Sequence, residues 1–339
     1  MAYALITGAA GFIGSSLARE LVSRGNQVTC LVRRSSRLER LSDVRSTLAY
    51  GDVTDQQSLR EPMAGASVVY HLAGSHSVLR AAEFYRVNEQ GVRNLLEVAA
   101  AQAQPPVVVQ VSSLAAAGPA PWGRLRTDDD PICPVSHYGR SKRAGELVAE
   151  EFAGRLPITI LRPGIVFGES DTLGLPIFRA IARTRIHFVP GYLPNRFSML
   201  HVADLVEVLI RAAQRGKRLT AEACAAGSPA KPGYYFAASD EHPTYFEFGR
   251  LIARAMGIRA LSMPWATAVV WMVAAINELR GQIRRRPVKL GLDKAREAIA
   301  GSWACSCQTM IDDLDFRCPL PLQERLSQTV AWYRKEGWF

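Results

Sequence analysis

The amino-acid sequence predicts an α/β fold: a doubly wound parallel sheet with helices on both faces, followed by a smaller, mostly helical C-terminal region. Two observations support this prediction. Short apolar runs rich in β-branched residues alternate with helical stretches over the first half of the chain, and such continuous runs are typical of strands that are buried on both faces. The first run also ends in glycines that open a helix.

Six strands are predicted in this half of the chain, at residues 4–7, 28–32, 48–50, 68–72, 107–111 and 158–161. Apolar positions with helical spacing predict helices between them, at residues 15–24, through 87–98 and at 138–152. Proline and glycine interrupt the pattern after Pro163, before a strand and a helix return at residues 199–210. We therefore predict a sheet domain of residues 1–164, joined again by residues 198–240, and a capping region of residues 165–197 and 241–339.

The overall composition indicates a globular protein, with 48% hydrophobic and 21% charged residues. The N-terminal segment lacks the basic stretch and cleavage site of a signal peptide, and the six cysteines form no C-x-x-C pair. We therefore expect a cytoplasmic protein with reduced cysteines and without a bound metal. The formal net charge of +10 comes without a nucleic-acid-binding motif, so it favours anionic small ligands or an anionic membrane surface over nucleic acid.

Residues 7–14 read Thr-Gly-Ala-Ala-Gly-Phe-Ile-Gly and connect the first predicted strand to the first predicted helix. Glycines in such a turn let the backbone approach a pyrophosphate, and the helix N-terminus presents N–H donors and the positive end of its dipole. A strand-to-helix turn without a ligand is the alternative. We predict a Rossmann-type dinucleotide site whose pyrophosphate-binding residues are Gly8, Gly11, Phe12, Ile13 and Gly14.

Arg33 and Arg34 stand at the end of the second predicted strand, about 20 residues beyond the glycines, where an acidic residue would bind the ribose 2′-hydroxyl of NAD. Two guanidinium groups suit a 2′-phosphate instead. NADP(H) is therefore favoured, while NAD(H) stays open because a solvated basic loop is the alternative. Further cofactor contacts are expected at the carboxyl ends of the third and fourth strands, from Asp52, Val53, Leu72, Ala73 and Gly74. The Asp52 carboxylate is a candidate for meeting the adenine amino group.

Tyr138 and Lys142 lie four residues apart at the start of a predicted helix, so their side chains share one helical face. A phenol with a pKa of about 10 needs about 4 kcal/mol of phenolate stabilisation to work near neutrality. An adjacent ammonium and a cationic nicotinamide ring can supply that together. Tyr138 then exchanges a proton with an alcohol while hydride moves to or from the cofactor. Tyr138 and Lys142 are also expected to contact the cofactor, with Lys142 holding its ribose.

Three other polar residues are candidates for the same site. Ser112 and Ser113 end the fifth predicted strand, where either hydroxyl can polarise a substrate carbonyl. Asn88, in the helix after the fourth strand, is a candidate for holding a water that relays protons to Lys142. The alternatives are a turn-capping role for each serine and an amide on the helix surface for Asn88.

Taken together, these residues resemble the extended short-chain dehydrogenase/reductase superfamily, also called the NAD-dependent epimerase/dehydratase family. The likeness covers eight segments: TGAAGFIG (7–14), GDVTD (51–55), HLAG (71–74), VNEQGVRNLL (87–96), VSSLAAAG (111–118), YGRSK (138–142), LRPGIVFG (161–168) and MLHVADLVEV (199–208). The resemblance implies that Ser113, five residues before Gly118, carries the catalytic hydroxyl rather than Ser112. It also implies that Pro163 and Gly164 lie against the nicotinamide carboxamide.

The resemblance also bears on the reaction. Leu114 and Ala115 stand where dehydratases of the family carry an acidic pair, and Phe197 stands where nucleotide-sugar epimerases usually place an arginine. The serine segment looks more like the 3β-hydroxysteroid dehydrogenase and dihydroflavonol reductase branches. The leading hypothesis is therefore an NAD(P)-dependent oxidoreductase that interconverts an alcohol and a ketone on a steroid-, flavonol- or isoprenoid-like substrate. A nucleotide-sugar epimerase and a non-catalytic dinucleotide sensor are the alternatives.

Residues 261–276 form a strongly apolar run, which predicts a helix, and Arg280–Arg286 is a basic cluster after it. The run is shorter than the roughly 20 residues that a membrane-spanning helix needs. One hypothesis is a peripheral contact of residues 261–286 with an anionic membrane surface. The alternative, which we favour on the sequence alone, is a buried helix of the capping region or a homodimer contact.

Overall fold

The computed structural model describes residues 3–288 and 290–339. The strands are β1 (Tyr3–Thr7), β2 (Gln27–Val32), β3 (Thr47–Tyr50), β4 (Val68–His71), β5 (Val107–Val111), β6 (Ile158–Pro163), β7 (Ile165–Phe167), β8 (Ile186–Pro190), β9 (Met199–His201), β10 (Tyr234–Ala237) and β11 (Leu261–Trp265). The helices are α1 (Phe12–Ser23), α2 (Arg60–Met63), α3 (Ala81–Tyr85), α4 (Gly91–Ala100), α5 (Leu114–Ala117), α6 (His137–Glu151), α7 (Leu175–Thr184), α8 (Val202–Arg215), α9 (Ala221–Ala225), α10 (Tyr245–Ala255), α11 (Thr267–Arg284), α12 (Leu292–Ile299), α13 (Gln308–Leu314) and α14 (Leu322–Lys335). A π-helical turn, Arg86–Gln90, connects α3 to α4.

Seven strands form one parallel sheet in the order β3-β2-β1-β4-β5-β6-β10. The predicted doubly wound α/β fold is therefore confirmed. Because β1 pairs with β2 on one side and with β4 on the other, the strand order reverses there, and the crevice at the carboxyl ends of these strands is where such sheets bind ligands. The seventh strand, β10, lies within residues 198–240, the segment that was predicted to rejoin the sheet domain. Its Tyr235 pairs with Leu161 of β6.

Helices cover both faces of this sheet. On one face α1 and α8 pack on the strands through fully buried side chains such as Leu17 and Leu209. On the other face α4 and α6 bury Leu95, Leu96 and Ala149. Each such leucine contributes about 1.5–3 kcal/mol by leaving water. The apolar strands therefore hold α1 and α6, the two helices that follow the glycine turn and the serine segment, in fixed positions at the carboxyl edge.

The C-terminal region has an apolar core of its own. The helices α7, α10 and α14 enclose Phe178, Phe197, Ile252, Leu326 and Tyr333. Two short parallel ladders, β8 with β11 and β7 with β9, connect parts of this region. A smaller cluster, formed by Val270, Ala274 and Ala295, joins α11 to α12.

One predicted element is wrong. The apolar run of residues 261–276 is not a single helix, because Leu261–Trp265 forms a strand that pairs with β8 and the helix begins only at Thr267. Pro264 has no N–H for a helical hydrogen bond, so an extended backbone paired with Ile186–Pro190 suits this segment better. Within the described residues, no helix is long and apolar enough to span a membrane.

Candidate active site

The glycine-rich turn leaves the N-terminus of α1 open to an anion. Gly8 has a φ of +68°, in the left-handed region, and a Cβ there would come within 2.7 Å of backbone atoms of Leu72 and Ala73. The Gly11 N–H donates to the Gly8 carbonyl at 2.9 Å, and no side chain caps the helix. The first turn of α1 therefore offers its N–H groups to a pyrophosphate. The predicted binding residues of this turn are Gly8, Gly11, Phe12, Ile13 and Gly14.

The carboxyl ends of β3 and β4 line the same crevice. Asp52 accepts hydrogen bonds through Oδ1 from the N–H and the hydroxyl of Thr54, at 2.9 and 2.8 Å, which orients its carboxylate. The Thr7 hydroxyl accepts from the Ala73 N–H at 3.1 Å and ties the end of β4 to the end of β1. The adenine contact of Asp52 stays a prediction. The predicted cofactor residues at these strand ends are Asp52, Val53, Leu72, Ala73 and Gly74.

Arg33 and Arg34 follow β2 directly, and both are exposed. The Ser36 hydroxyl accepts from the Arg33 N–H at 3.1 Å, so the turn has a defined shape. The guanidinium carbon of Arg34 lies 5.7 Å from the centre of the Tyr50 ring at the end of β3. Both arginines therefore lie at the carboxyl end of β2, and the Arg34 guanidinium lies near the end of the adjoining β3.

Tyr138 lies in the first turn of α6. The Ser136 hydroxyl caps this helix by accepting a backbone N–H at 2.9 Å. The Ser113 side chain lies near enough to the Tyr138 phenol to influence its pKa, and the Phe84 ring packs against the tyrosine edge-on at 5.9 Å. Burial has the largest effect and raises the pKa of the Tyr138 phenol, whereas the nearby Lys294 ammonium and the Ser113 side chain act to lower it. The positive charge of Lys294 therefore offsets part of the effect of burial on the phenol.

Lys142 lies one turn further along α6. Its ammonium donates to the Val111 carbonyl at 2.7 Å, at the end of β5. A Cβ on Gly74 would lie 3.5 Å from the lysine Nζ, so the backbone after β4 passes directly against the ammonium. Burial lowers the pKa of Lys142 to about 8, and the Glu146 carboxylate opposes that shift. The ammonium therefore remains mostly charged at neutral pH and loses its charge in mildly alkaline solution.

The two neighbouring serines have different surroundings. The Ser112 hydroxyl donates to Glu146 Oε1 at 2.6 Å, and the same buried carboxylate pairs with the Arg162 guanidinium at 2.8 and 2.9 Å. Ser112 therefore belongs to an internal charged network behind the sheet edge. The Ser113 hydroxyl accepts from the Ala115 N–H at 3.1 Å and lies beside Tyr138. The geometry thus pairs the phenol with Ser113, the serine that the resemblance implied.

Asn88 lies in the π-helical turn and holds the loop after β4 against α6. Its Oδ1 accepts from the Ser75 N–H at 2.9 Å, and its Nδ2 donates to the Ser75 carbonyl at 3.1 Å and to the Ser141 hydroxyl at 2.9 Å. These hydrogen bonds position Gly74 and Ser75 beside Lys142. The water relay through Asn88 stays a prediction.

Pro163 ends β6 on the same edge, and Gly164 follows it directly. The Gly164 N–H donates to the Ala237 carbonyl at 3.0 Å, and a Cβ on Gly164 would lie 2.5 Å from the Ser198 carbonyl oxygen. Only a glycine therefore lets β6 pass this close to the segment before β9. Their contact with the nicotinamide carboxamide stays a prediction.

Helix α12 contributes three residues that the sequence did not identify. The Asp293 carboxylate accepts from the N–H groups of His137 and Tyr138 at 2.7 and 3.0 Å. The Lys294 ammonium lies 5.0 Å from the centre of the Tyr138 ring and pairs with Glu297 at 2.6 Å. The Glu297 carboxylate also accepts from the Ser136 hydroxyl at 2.6 Å. The only local signal was the spacing of three residues between the lysine and the glutamate, which is typical of any solvated helix.

The chain is similar to known proteins over most of its length. The model of the NAD dependent epimerase/dehydratase family matches residues 4–224. A ceramide reductase of Caulobacter vibrioides is 29% identical over 98% of this chain and 95% of its own length. Sterol demethylase protein B of Methylococcus capsulatus is 32% identical over 66% of this chain and 71% of its own length. A dTDP-glucose 4,6-dehydratase from Bacillus anthracis, solved with NAD, has the same fold, with a TM-score of 0.75 at 19% identity over 100% of this chain and 99% of that chain.

Proposed function

The chain belongs to the NAD-dependent epimerase/dehydratase family, and on that premise we propose that it interconverts an alcohol and a ketone on an apolar substrate with NADP(H). The substrate class is steroid-, flavonol- or isoprenoid-like. One observation carries the proposal: the Ser113 side chain lies beside Tyr138, which shares the first turns of α6 with Lys142. All three residues lie at the sheet edge that also holds the glycine turn.

The three side chains divide the proton chemistry between them. In the reducing direction Tyr138 gives its phenolic proton to the ketone oxygen, while the Ser113 hydroxyl donates a hydrogen bond to that oxygen as its negative charge develops. When bound, the nicotinamide cofactor supplies hydride to the carbonyl carbon or accepts it in the reverse reaction. The positive charges of Lys142 and Lys294 stabilise the phenolate that remains. In the oxidising direction this phenolate takes the hydroxyl proton of the alcohol.

The residues at the crevice fit a nicotinamide dinucleotide. The glycine turn provides the close backbone approach and the uncapped helix N-terminus that a pyrophosphate needs. We prefer NADP(H) because Arg33 and Arg34 follow β2 with exposed guanidinium groups, and the first acidic residue beyond them, Glu39, already lies in a separate helical turn. A 2′-phosphate binds such a pair through charge-assisted hydrogen bonds.

Two local features support ketone reduction over the family's other reactions. Leu114 and Ala115, directly after the catalytic serine, are buried and apolar, so no carboxylate stands there to assist the elimination of water. Phe197 is 1% exposed and packs on the Tyr245 ring at 4.7 Å, so it is a core residue that cannot hold a diphosphate. The names of the two similar proteins, a ceramide reductase and a sterol demethylase, concern lipids, which supports an apolar substrate.

The test is a substrate and cofactor panel with freshly purified protein. A 3-ketosteroid, a dihydroflavonol, a long-chain β-keto lipid and a UDP-hexose are each offered with NADPH and with NADH, and cofactor oxidation is followed. We expect NADPH oxidation with at least one of the three apolar ketones. Tyr138→Phe should retain cofactor binding, measured by tryptophan fluorescence, and lose turnover.

Other outcomes identify the alternatives. Protein that arrives loaded with NAD and interconverts UDP-hexoses without net cofactor oxidation is a nucleotide-sugar epimerase. If Tyr138→Phe protein binds cofactor normally and has the same turnover as the wild type with every substrate of the panel, the result indicates a dinucleotide sensor. Binding alone does not require the phenol.

A further inference from the structure

Helix α11 carries apolar side chains on the face that points away from the rest of the protein. Its buried residues, Val270, Ala274 and Gly281, share one face. With 3.6 residues per turn, the opposite face carries four exposed apolar residues, which we call the outer stripe: Met272, Ile276, Leu279 and Ile283. Leu279 and Ile283 are 59% and 74% exposed. A helix that faces only water carries polar residues in these positions, so the outer stripe has the composition of a binding surface.

Four arginines lie at the C-terminal end of the outer stripe: Arg280 and Arg284 in the last turns of α11, and Arg285 and Arg286 directly after it. All four are exposed, and none takes part in an ion pair between described residues. Arg280 and Arg284 stand about 70° and 110° around the helix from the centre of the stripe. Their aliphatic parts can lie along the apolar surface while the guanidinium groups reach outward.

We propose that the outer stripe and its four arginines form a docking surface for an anionic lipid membrane, with α11 lying flat in the headgroup region. Apolar side chains on one face and arginines on its flank are the arrangement of helices that bind in the plane of such an interface. Anionic headgroups attract each arginine near the surface, and the apolar side chains leave water. This proposal does not depend on the proposed reaction.

A second copy of the chain fits the same surface poorly. In a two-fold symmetric dimer the same patch meets itself, so whichever way the two helices ran, the arginines of each copy would face a helix with little negative charge to match them. The described part of α11 offers one carboxylate, Glu278, and its Oε2 already lies 3.4 Å from the N–H of Leu292. An anionic membrane supplies the opposite charge that a second copy lacks.

The position of α11 also connects the surface to the candidate active site. The segment after α11 accepts a hydrogen bond at the Val288 carbonyl from the Ser77 hydroxyl, at 2.8 Å, in the loop that follows Gly74. The next helix, α12, packs on α11 and carries Lys294 to the Tyr138 ring. A membrane bound at α11 would therefore lie one helix away from the catalytic phenol, which suits a substrate that is dissolved in lipid.

The test is vesicle flotation of the purified full chain. Vesicles of phosphatidylcholine alone are compared with an equimolar mixture of phosphatidylcholine and phosphatidylglycerol, at low and high salt. We expect binding to the anionic vesicles that weakens at high salt. Arg280→Gln/Arg284→Gln should weaken it about 25-fold, since one arginine near an anionic surface contributes about fivefold. Leu279→Asp/Ile283→Asp should weaken it by about a hundredfold or more.

Leu147→Asp is the matched control, because it places one aspartate at an exposed leucine of α6, outside the stripe. It should bind vesicles like the wild type, and all variants should keep the wild-type circular dichroism and melting temperature. Wild-type protein that does not float with anionic vesicles overturns the proposal. Equal vesicle binding by the wild type and the Leu279→Asp/Ile283→Asp variant also overturns it. A third contrary result is a wild-type protein that binds neither kind of vesicle and forms a dimer in gel filtration, which this variant dissociates.

Discussion

Replacing Lys294 with methionine removes a positive charge that faces the Tyr138 phenol and keeps an unbranched side chain. The Lys294 ammonium lies 5.0 Å from the centre of the Tyr138 ring. At an effective dielectric constant of about 20, two unit charges at that distance attract each other by about 3 kcal/mol. The Glu297 carboxylate, 2.6 Å from the ammonium, cancels part of this attraction, and the lysine side chain is 39% exposed, so solvent screens more of it. We take about 1.4 kcal/mol, or about one pKa unit, as the remainder.

The substitution should raise the pKa of Tyr138, because the phenolate loses a counter-charge. Oxidation of an alcohol needs the phenolate, so the acidic limb of its pH profile should move up by about one unit, and kcat/KM below that limb should fall about tenfold. Reduction of a ketone needs the neutral phenol, so its alkaline limb should also move up. The measurement is a pH series of kcat/KM in both directions.

Two further variants make this result specific. Lys294→Arg keeps the charge and should keep both profiles. Arg296→Gln removes a charge from the same helix, where the guanidinium pairs with Asp293 at 3.5 Å, and should leave both limbs in place. If Lys294→Met lowers the rate evenly at every pH, the electrostatic reasoning is refuted, because a packing defect reduces activity without moving the profile.

Three other predictions follow from the site. Ser113→Ala should lower kcat about 100- to 1000-fold, whereas Ser112→Ala should mainly lower the urea midpoint; equal losses of kcat would contradict the assignment. Glu146→Gln leaves the Arg162 guanidinium buried without its counter-charge, so the free energy of unfolding in urea should fall by about 3–5 kcal/mol. An unchanged urea midpoint would mean that the ion pair adds no stability. Arg34→Ala should weaken NADPH binding about tenfold, or about 1.4 kcal/mol, in a tryptophan-fluorescence titration and leave NADH binding unchanged; equal weakening of both would rule out a 2′-phosphate contact.

The sheet and the motif residues could be predicted because their signals are local. The fifth strand occupies the predicted residues 107–111, since four valines among five residues, between two prolines and two serines, strongly favour an extended backbone. The helix that carries Tyr138 begins one residue earlier than predicted, at His137, because Ser136 supplies the cap. A spacing of four residues places Tyr138 and Lys142 on one face of a helix, so this part of the site could be predicted from the sequence.

The rest of the site depends on contacts between residues far apart in sequence, which no local spacing of residues predicts. The N–H of Tyr138 meets the Asp293 carboxylate across 155 residues of sequence, and the segment around Lys294 carries no motif. Residues 261–276 misled the prediction because an apolar run has no period that separates a strand from a buried helix. Pairing with β8 makes the first five of these residues a strand, and β8 lies far from them in sequence.

The hydrogen bonds of Asp293 with the first turn of α6 make the surroundings of this helix depend on a segment that is synthesised much later. The family match ends at residue 224, so a growing chain that has passed this point already holds the glycine turn, Tyr138 and Lys142. It still lacks the carboxylate that accepts the Tyr138 N–H at 3.0 Å and the ammonium beside the phenol. Domains fold progressively as the chain leaves the ribosome, so six of the seven sheet strands can form before the contacts around Tyr138 are complete. A prematurely terminated product would therefore carry every motif residue and still lack the contacts of Asp293 and Lys294 with Tyr138.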